Sequence, residues 1–173
     1  LFCCGCIHAY GAEGRNLEPL YAFARMDEYH RFAYGKLIRG DEFYWMMSLP
    51  SFRPEYAVLL ESRPDSESPN KFRRFVTISQ AAEPIYGEKD GHEHYRDVTV
   101  TRISKPLSDA DSHLLAVVSF AIMRKVRETA FPSIGPDGTT YLFCFDKYAG
   151  KTWSPGAGEL WEFVNAWTAL GDY

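Results

Sequence analysis

Apolar residues recur at Leu20, Phe23, Ala24 and Met26, the spacing of one helical face, between Asn16, which can cap a helix start, and Gly35, which can end one. That pattern predicts a helix over 17–34. Across Glu42–Leu49 the run Phe43 to Met47 is aromatic and bulky, and after Pro50 and Pro54 a second apolar run covers Tyr56–Glu61. Both read as strands. The polar, proline- and serine-rich stretch 63–70 is expected as a surface loop. Phe72–Ser79 and Val98–Ile103 again carry strand composition, and Asp90-Gly91 between them is a strong hairpin signal, so 71–104 is expected as two long antiparallel strands with a projecting tip.

Pro106 is expected to stop the second of those strands. Ser108 with Asp111 three residues on forms a helix-start box, and the helix over 109–128 is apolar on nearly every side, which places it centrally, covered on more than one face. Pro136-Asp137-Gly138 makes a turn, and Tyr141, Phe143 and Phe145 alternate with Leu142 and Cys144 in a core strand. Ser154-Pro155 can open a last helix that carries Leu160, Phe163, Val164, Trp167 and Leu170 on one face. The element order predicts an α+β fold, an antiparallel sheet of about five strands packed on two to three helices. The sequence has no internal repeat.

Composition narrows the class. A chain of 173 residues with 46% hydrophobic, 24% charged and 16% aromatic residues has the make-up of one folded domain, expected over 12–173. The net charge of −4 and the lack of a basic stripe beyond Lys71, Arg73 and Arg74 argue against nucleic acid as a partner. The apolar run Leu114–Met123, broken by Ser119, is too short for a bilayer, which takes about 20 residues, so no transmembrane segment is expected. Residues 1–11 read differently. Leu1-Phe2-Cys3-Cys4-Gly5-Cys6-Ile7 followed by Ala9-Tyr10-Gly11 has the small residues two apart of a signal-peptidase site, and predicts the tail of an export signal and a periplasmic or cell-envelope location. The alternative is a lipid anchor at Cys4, with Leu1 three before it, although Phe2 and Cys3 fit poorly between them. Cys144 stands apart from the other cysteines, so no disulfide framework is readable.

Candidate chemistry is sparse. His92 and His94 would share one face of a strand and could hold a metal ion, but a third ligand would have to come from Glu88, Asp90, Asp97 or His113. Cys3, Cys4, Cys6 and His8 lack the paired spacing of structural zinc sites. Asp109, Asp111 and His113 are groups used in acid–base catalysis, yet acidic residues in a first helical turn are explained by the orphan N–H groups there. Neither a nucleophile elbow nor a phosphate-binding or dinucleotide-binding glycine loop is present, and no cofactor is expected.

The most distinctive text is Asp137-Gly138-Thr139-Thr140-Tyr141-Leu142-Phe143 with Gly150-Lys151-Thr152-Trp153-Ser154-Pro155. It resembles the carboxy-terminal segment of small exported bacterial proteins without an assigned activity, over the part of the chain from 108 onward. The resemblance implies a fold unit rather than a reaction, with Trp153 plugging a corner before the last helix. Small size, acidic balance and the lack of catalytic motifs lead to the expectation of a non-catalytic exported protein that binds another protein, most concretely an immunity protein neutralising a secreted toxin. The alternatives are a small metal-dependent enzyme using the His92/His94 edge and a lipid-anchored envelope component. The contact residues expected are Asp65 and Glu67 in the 63–70 loop, and Tyr86, Glu88, Asp90, His92 and Glu93 on the hairpin.

Overall fold

The computed structural model describes residues 18–19, 26–38, 44–68, 70–89, 92–124, 137–145 and 148–172. The elements run β1 (Glu18–Pro19), α1 (Glu28–Leu37), β2 (Tyr44–Pro50), β3 (Tyr56–Pro64), β4 (Phe72–Ala81), β5 (Tyr86–Lys89), β6 (His92–Tyr95), β7 (Val100–Leu107), α2 (Asp109–Met123), β8 (Thr139–Phe145), β9 (Tyr148–Trp153) and α3 (Glu159–Asp172). Six of the strands, with the two-residue β1 at one edge, form one sheet in the order β1-β9-β8-β2-β3-β4-β7, and β5 with β6 form a separate ribbon. All the strand pairs are antiparallel. The α+β architecture is therefore the expected one, with β9, over the expected Trp153 corner, as a further strand of the main sheet.

Because successive side chains of a strand point to opposite faces, β2, β3 and β8 feed two cores at once. Trp45, Met47, Leu59 and Leu142 pack with Ala33 and Leu37 of α1. Met46, Val58, Phe143 and Phe145 pack on the other side with Phe163, Val164 and Trp167 of α3 and Met123 of α2. Strand β2 has strand neighbours on both edges and is buried at every position from Trp45 to Leu49. This is why its text, Ser48 excepted, reads as an apolar run instead of an alternating one. Each large side chain removed from water in this way contributes roughly 1.5–3 kcal/mol, so α3, with Leu160, Phe163, Val164 and Trp167 buried, is firmly docked.

The distinctive carboxy-terminal text closes on itself. Ser154 donates its N–H to Thr139 O (2.8 Å) and accepts the Thr139 N–H on its side-chain oxygen (2.8 Å). Gly138 lies under Trp153, and a Cβ there would overlap the indole ring and Ser154 Oγ. Ser154 itself takes the left-handed backbone at φ 33°, a conformation that a non-glycine residue holds only when its surroundings dictate it.

Several expectations are corrected. The first helix does not span 17–34: Asp27 caps α1 by accepting the His30 N–H (2.8 Å), Glu18–Pro19 pair with β9, and Asn16 lies outside the described residues. Nor does Gly35 end it. The last carbonyls of α1, Lys36 O and Leu37 O, are instead satisfied by Arg102 of β7 at 2.9 Å each, a partner 65 residues away in sequence. Pro106 does not stop β7, which runs to Leu107; among the described residues β7 is an edge strand, where one side of the ladder has no neighbour and proline's missing N–H is tolerated. Residues 71–104 are not two continuous strands, because the chain leaves the sheet after Ala81 and re-enters at Val100, making the β5–β6 ribbon on the way. Finally, α2 is not covered on a second face: only Ser119 and Met123 are buried, while Leu114, Val117 and Val118 are 63%, 51% and 38% exposed. Ser108 does cap α2, its Oγ accepting the Asp111 N–H (3.1 Å) and its hydroxyl donating to the Asp111 carboxylate (2.6 Å). Helix α3 begins at Glu159 rather than at Pro155, after Gly158 at φ 81°. No helix among the described residues is long and apolar enough to cross a membrane.

Candidate functional site at the hairpin end

The two segments expected to make contacts lie at opposite ends of the sheet. The β3–β4 turn stands at one end, while the β5–β6 ribbon emerges from the far ends of β4 and β7. The turn uses its acidic residues internally: Arg73 pairs with Asp65 (3.1 Å) and Glu67 (3.3 Å), and the Glu67 N–H donates to Asp65 Oδ1 (3.0 Å). Their charge is engaged in shaping the loop.

At the other end a residue that the sequence did not single out helps to hold the ribbon to the body. Glu55, at the entry to β3, is fully buried. Its carboxylate accepts the backbone N–H of Ile85 (2.7 Å), the N–H of Tyr86 (3.1 Å) and the Tyr29 hydroxyl from α1 (2.7 Å). A buried carboxylate is costly unless its oxygens find donors; here three donors from two segments converge on it, so it ties α1 and the ribbon to the sheet. Burial, together with the hydrogen bond to Glu55, pushes the Tyr29 hydroxyl far above the ordinary phenol range, so it stays a donor.

Around this carboxylate stands an aromatic layer. Tyr29 packs on Tyr86 (5.4 Å between ring centroids) and Tyr95 (6.0 Å), and Phe32 packs on Tyr95 (5.6 Å). Such spacings lie in the range of favourable ring pairs. Further out, Arg96 pairs with Glu83 (3.6 Å) and lies over Gly87, where a Cβ would meet its guanidinium. Asp97, one of the candidate third metal ligands, pairs with Lys36 of α1.

Of the residues expected here, Tyr86 is in the aromatic layer, half-buried, and His92 and His94 are exposed on β6. The register sets Glu88 opposite Glu93 and Lys89 opposite His92, and Asp90 lies outside the described residues. Among the described residues no group of three or more His, Cys, Asp or Glu side chains comes within reach of a common metal ion. His113 sits on exposed α2, away from the ribbon in sequence and in element. The cysteine cluster at 3–6 lies outside the described residues.

A second polar grouping lies on the α1 side of the sheet. Thr77 donates to Glu61, and Arg63 donates to Glu61, to Thr77 (3.2 Å) and to Ser104 (2.9 Å) while lying 4.7 Å from the Phe75 ring centroid. Its members satisfy one another, whereas the ribbon presents exposed imidazoles above a braced base. Sequence reasoning missed Glu55, Tyr29, Phe32 and Tyr95; the one available signal was a carboxylate set between Pro54 and an apolar strand, where an acidic side chain needs a partner. No protein-family model, curated protein or solved structure matches the chain.

Proposed function

We propose that this protein works by binding another protein through the end formed by α1 and the β5–β6 ribbon. One observation carries the reading: a two-stranded ribbon outside the main sheet is locked to the body by the buried Glu55 carboxylate and its three donors. An isolated two-stranded ribbon is marginal in water, so this bracing serves the shape of the ribbon more than the main sheet, whose strands pair with one another without it. A ribbon already held in one shape loses less entropy on docking, and Tyr86, Tyr95, His92 and His94 are residue types suited to specific contacts. In its most concrete form the partner is a secreted toxin and the protein its immunity factor in the periplasm. That version rests on the text of residues 1–11, which lie outside the described residues.

The test is site-specific crosslinking in the native cell, with a photoreactive side chain at His92 and, for comparison, at Glu67 on the opposite end. A discrete protein adduct at position 92 and none at 67 is expected. The purified pair should then lose affinity on His92→Ala/His94→Ala, with the thermal midpoint unchanged. Adducts at 67 alone, or unaltered affinity in the double variant, would remove the ribbon from the interface. Stoichiometric zinc in the purified protein, lost in that double variant, would favour the metal-dependent alternative instead.

A further inference from the structure

Helix α2 has the wrong outer face for a helix that meets only water. Its inner side, with Ser119 and Met123, docks on the body, and Trp167 Nε1 donates to Ser119 Oγ (3.2 Å). On the opposite side Ala110, Leu114, Val117, Val118 and Ala121 recur at helical spacing and all are exposed. A contiguous apolar strip of this kind marks a contact surface. Its ends carry opposite charge: Asp109 and Asp111 lie in the first turn, and Arg124 caps the last. Among the described residues Arg124 has no ion-pair partner.

We propose that this face is where two copies of the chain associate, with their α2 helices antiparallel about a two-fold axis passing between Val117 and Val118. The register is self-complementary. An axis at that point sets Leu114 level with Ala121 of the second copy, large against small, and Val117 level with Val118. It also brings the acidic first turn level with Arg124 at both ends of the contact. Antiparallel pairing further opposes the two helix dipoles, whereas a parallel pair would put like charges together. A two-fold contact uses one patch on both copies, and such a strip needs only itself as partner. An anionic lipid surface is disfavoured because the charges at the amino-terminal end of the strip are acidic.

With 15 residues α2 is about 22 Å long, and one helix pair of that length buries an area at the small end of specific interfaces. The dimer should therefore be weak, with a dissociation constant roughly micromolar or above.

Analytical ultracentrifugation of the full chain over a wide concentration series tests this. Wild type should shift from monomer to dimer. Leu114→Glu should weaken association roughly tenfold or more by placing a charge in the seam, while its circular dichroism and thermal midpoint stay those of wild type. The decisive arm is a charge exchange: Arg124→Glu alone and Asp109→Arg/Asp111→Arg alone should each be monomeric, and an equimolar mixture should form the mixed dimer. His92→Ala/His94→Ala should dimerise as wild type does, which keeps this proposal separable from the ribbon reading. A monomeric wild type at the highest concentration, a dimer indifferent to Leu114→Glu, or no mixed dimer from the two charge variants would overturn it. So would a monomer that binds anionic vesicles through the same face.

Discussion

Replacing Glu55 tests the central claim about the candidate site, that one buried carboxylate holds the ribbon. In Glu55→Ala the N–H groups of Ile85 and Tyr86 and the hydroxyl of Tyr29 all lose their acceptor. A buried donor left unpaired costs about 1–3 kcal/mol, and water entering the space left by the side chain relieves part of that, so the expected loss is about 3–5 kcal/mol. Glu55→Gln keeps the shape and one carbonyl oxygen but turns an amide NH₂ toward a donor, which should cost about 1–3 kcal/mol. Tyr29→Phe removes a single donor and leaves the carboxylate with two backbone N–H groups, for about 0.5–1.5 kcal/mol. The order Tyr29→Phe, Glu55→Gln, Glu55→Ala should appear in urea denaturation at neutral pH. Amide exchange adds the location: Ile85 and Tyr86 should lose protection in Glu55→Ala before Leu142 and Phe143 of the sheet centre do. If Glu55→Ala costs no more than Tyr29→Phe, or if exchange at Ile85 and Tyr86 is unchanged, the ribbon is held by its aromatic packing and the bracing argument fails.

Two further outcomes follow from the same geometry. Trp167 is fully buried, lies 5.0 Å from the Phe145 ring centroid and donates to Ser119 Oγ; Trp167→Ala should cost about 3–5 kcal/mol in denaturant titration, and a loss under about 1 kcal/mol would mean that α3 is peripheral. Asp27 gives an acid dependence. Partial burial pushes its carboxyl up, but the hydrogen bonds and charge of His30 outweigh this and hold it below the ordinary value of 3.8. Its stabilising contribution is therefore fully present above that value and is lost as pH falls through the lower, folded-state value. Because the Asp27 side chain is largely exposed, the effect should stay under about 1 kcal/mol. Asp27→Asn keeps a capping side chain without the titration, so the stability gap between wild type and variant should close as the solution is acidified below about pH 4. Parallel acid limbs for the two proteins would show that this carboxylate contributes nothing.

What the sequence determined by itself was local. The strands at 44–50, 56–64, 72–81 and 139–145 were legible because each contains a short apolar run with aromatic or β-branched residues, bounded by proline, glycine or polar turns. The start of α2 at Ser108 and the buried face of α3 were legible because capping and helical spacing involve residues only three or four apart. Together these gave the α+β class and the projecting hairpin that carries Tyr86, His92 and His94.

What only the tertiary structure decided depends on groups distant along the chain. Arg102, arriving from the edge of the sheet, supplies the end of α1 that Gly35 was expected to make. Pro106 could extend a strand because β7 lies at an edge, a position set by strand order and absent from local text. An all-apolar helix reads as central, yet α2 has one docked face, since composition counts apolar residues without saying how many sides the fold will cover. The Glu55 brace was the least legible of all. Its three donors come from α1 and from the chain entering β5, 26 to 31 residues away, and a carboxylate's need for partners is visible in a sequence only as a charge in an apolar context.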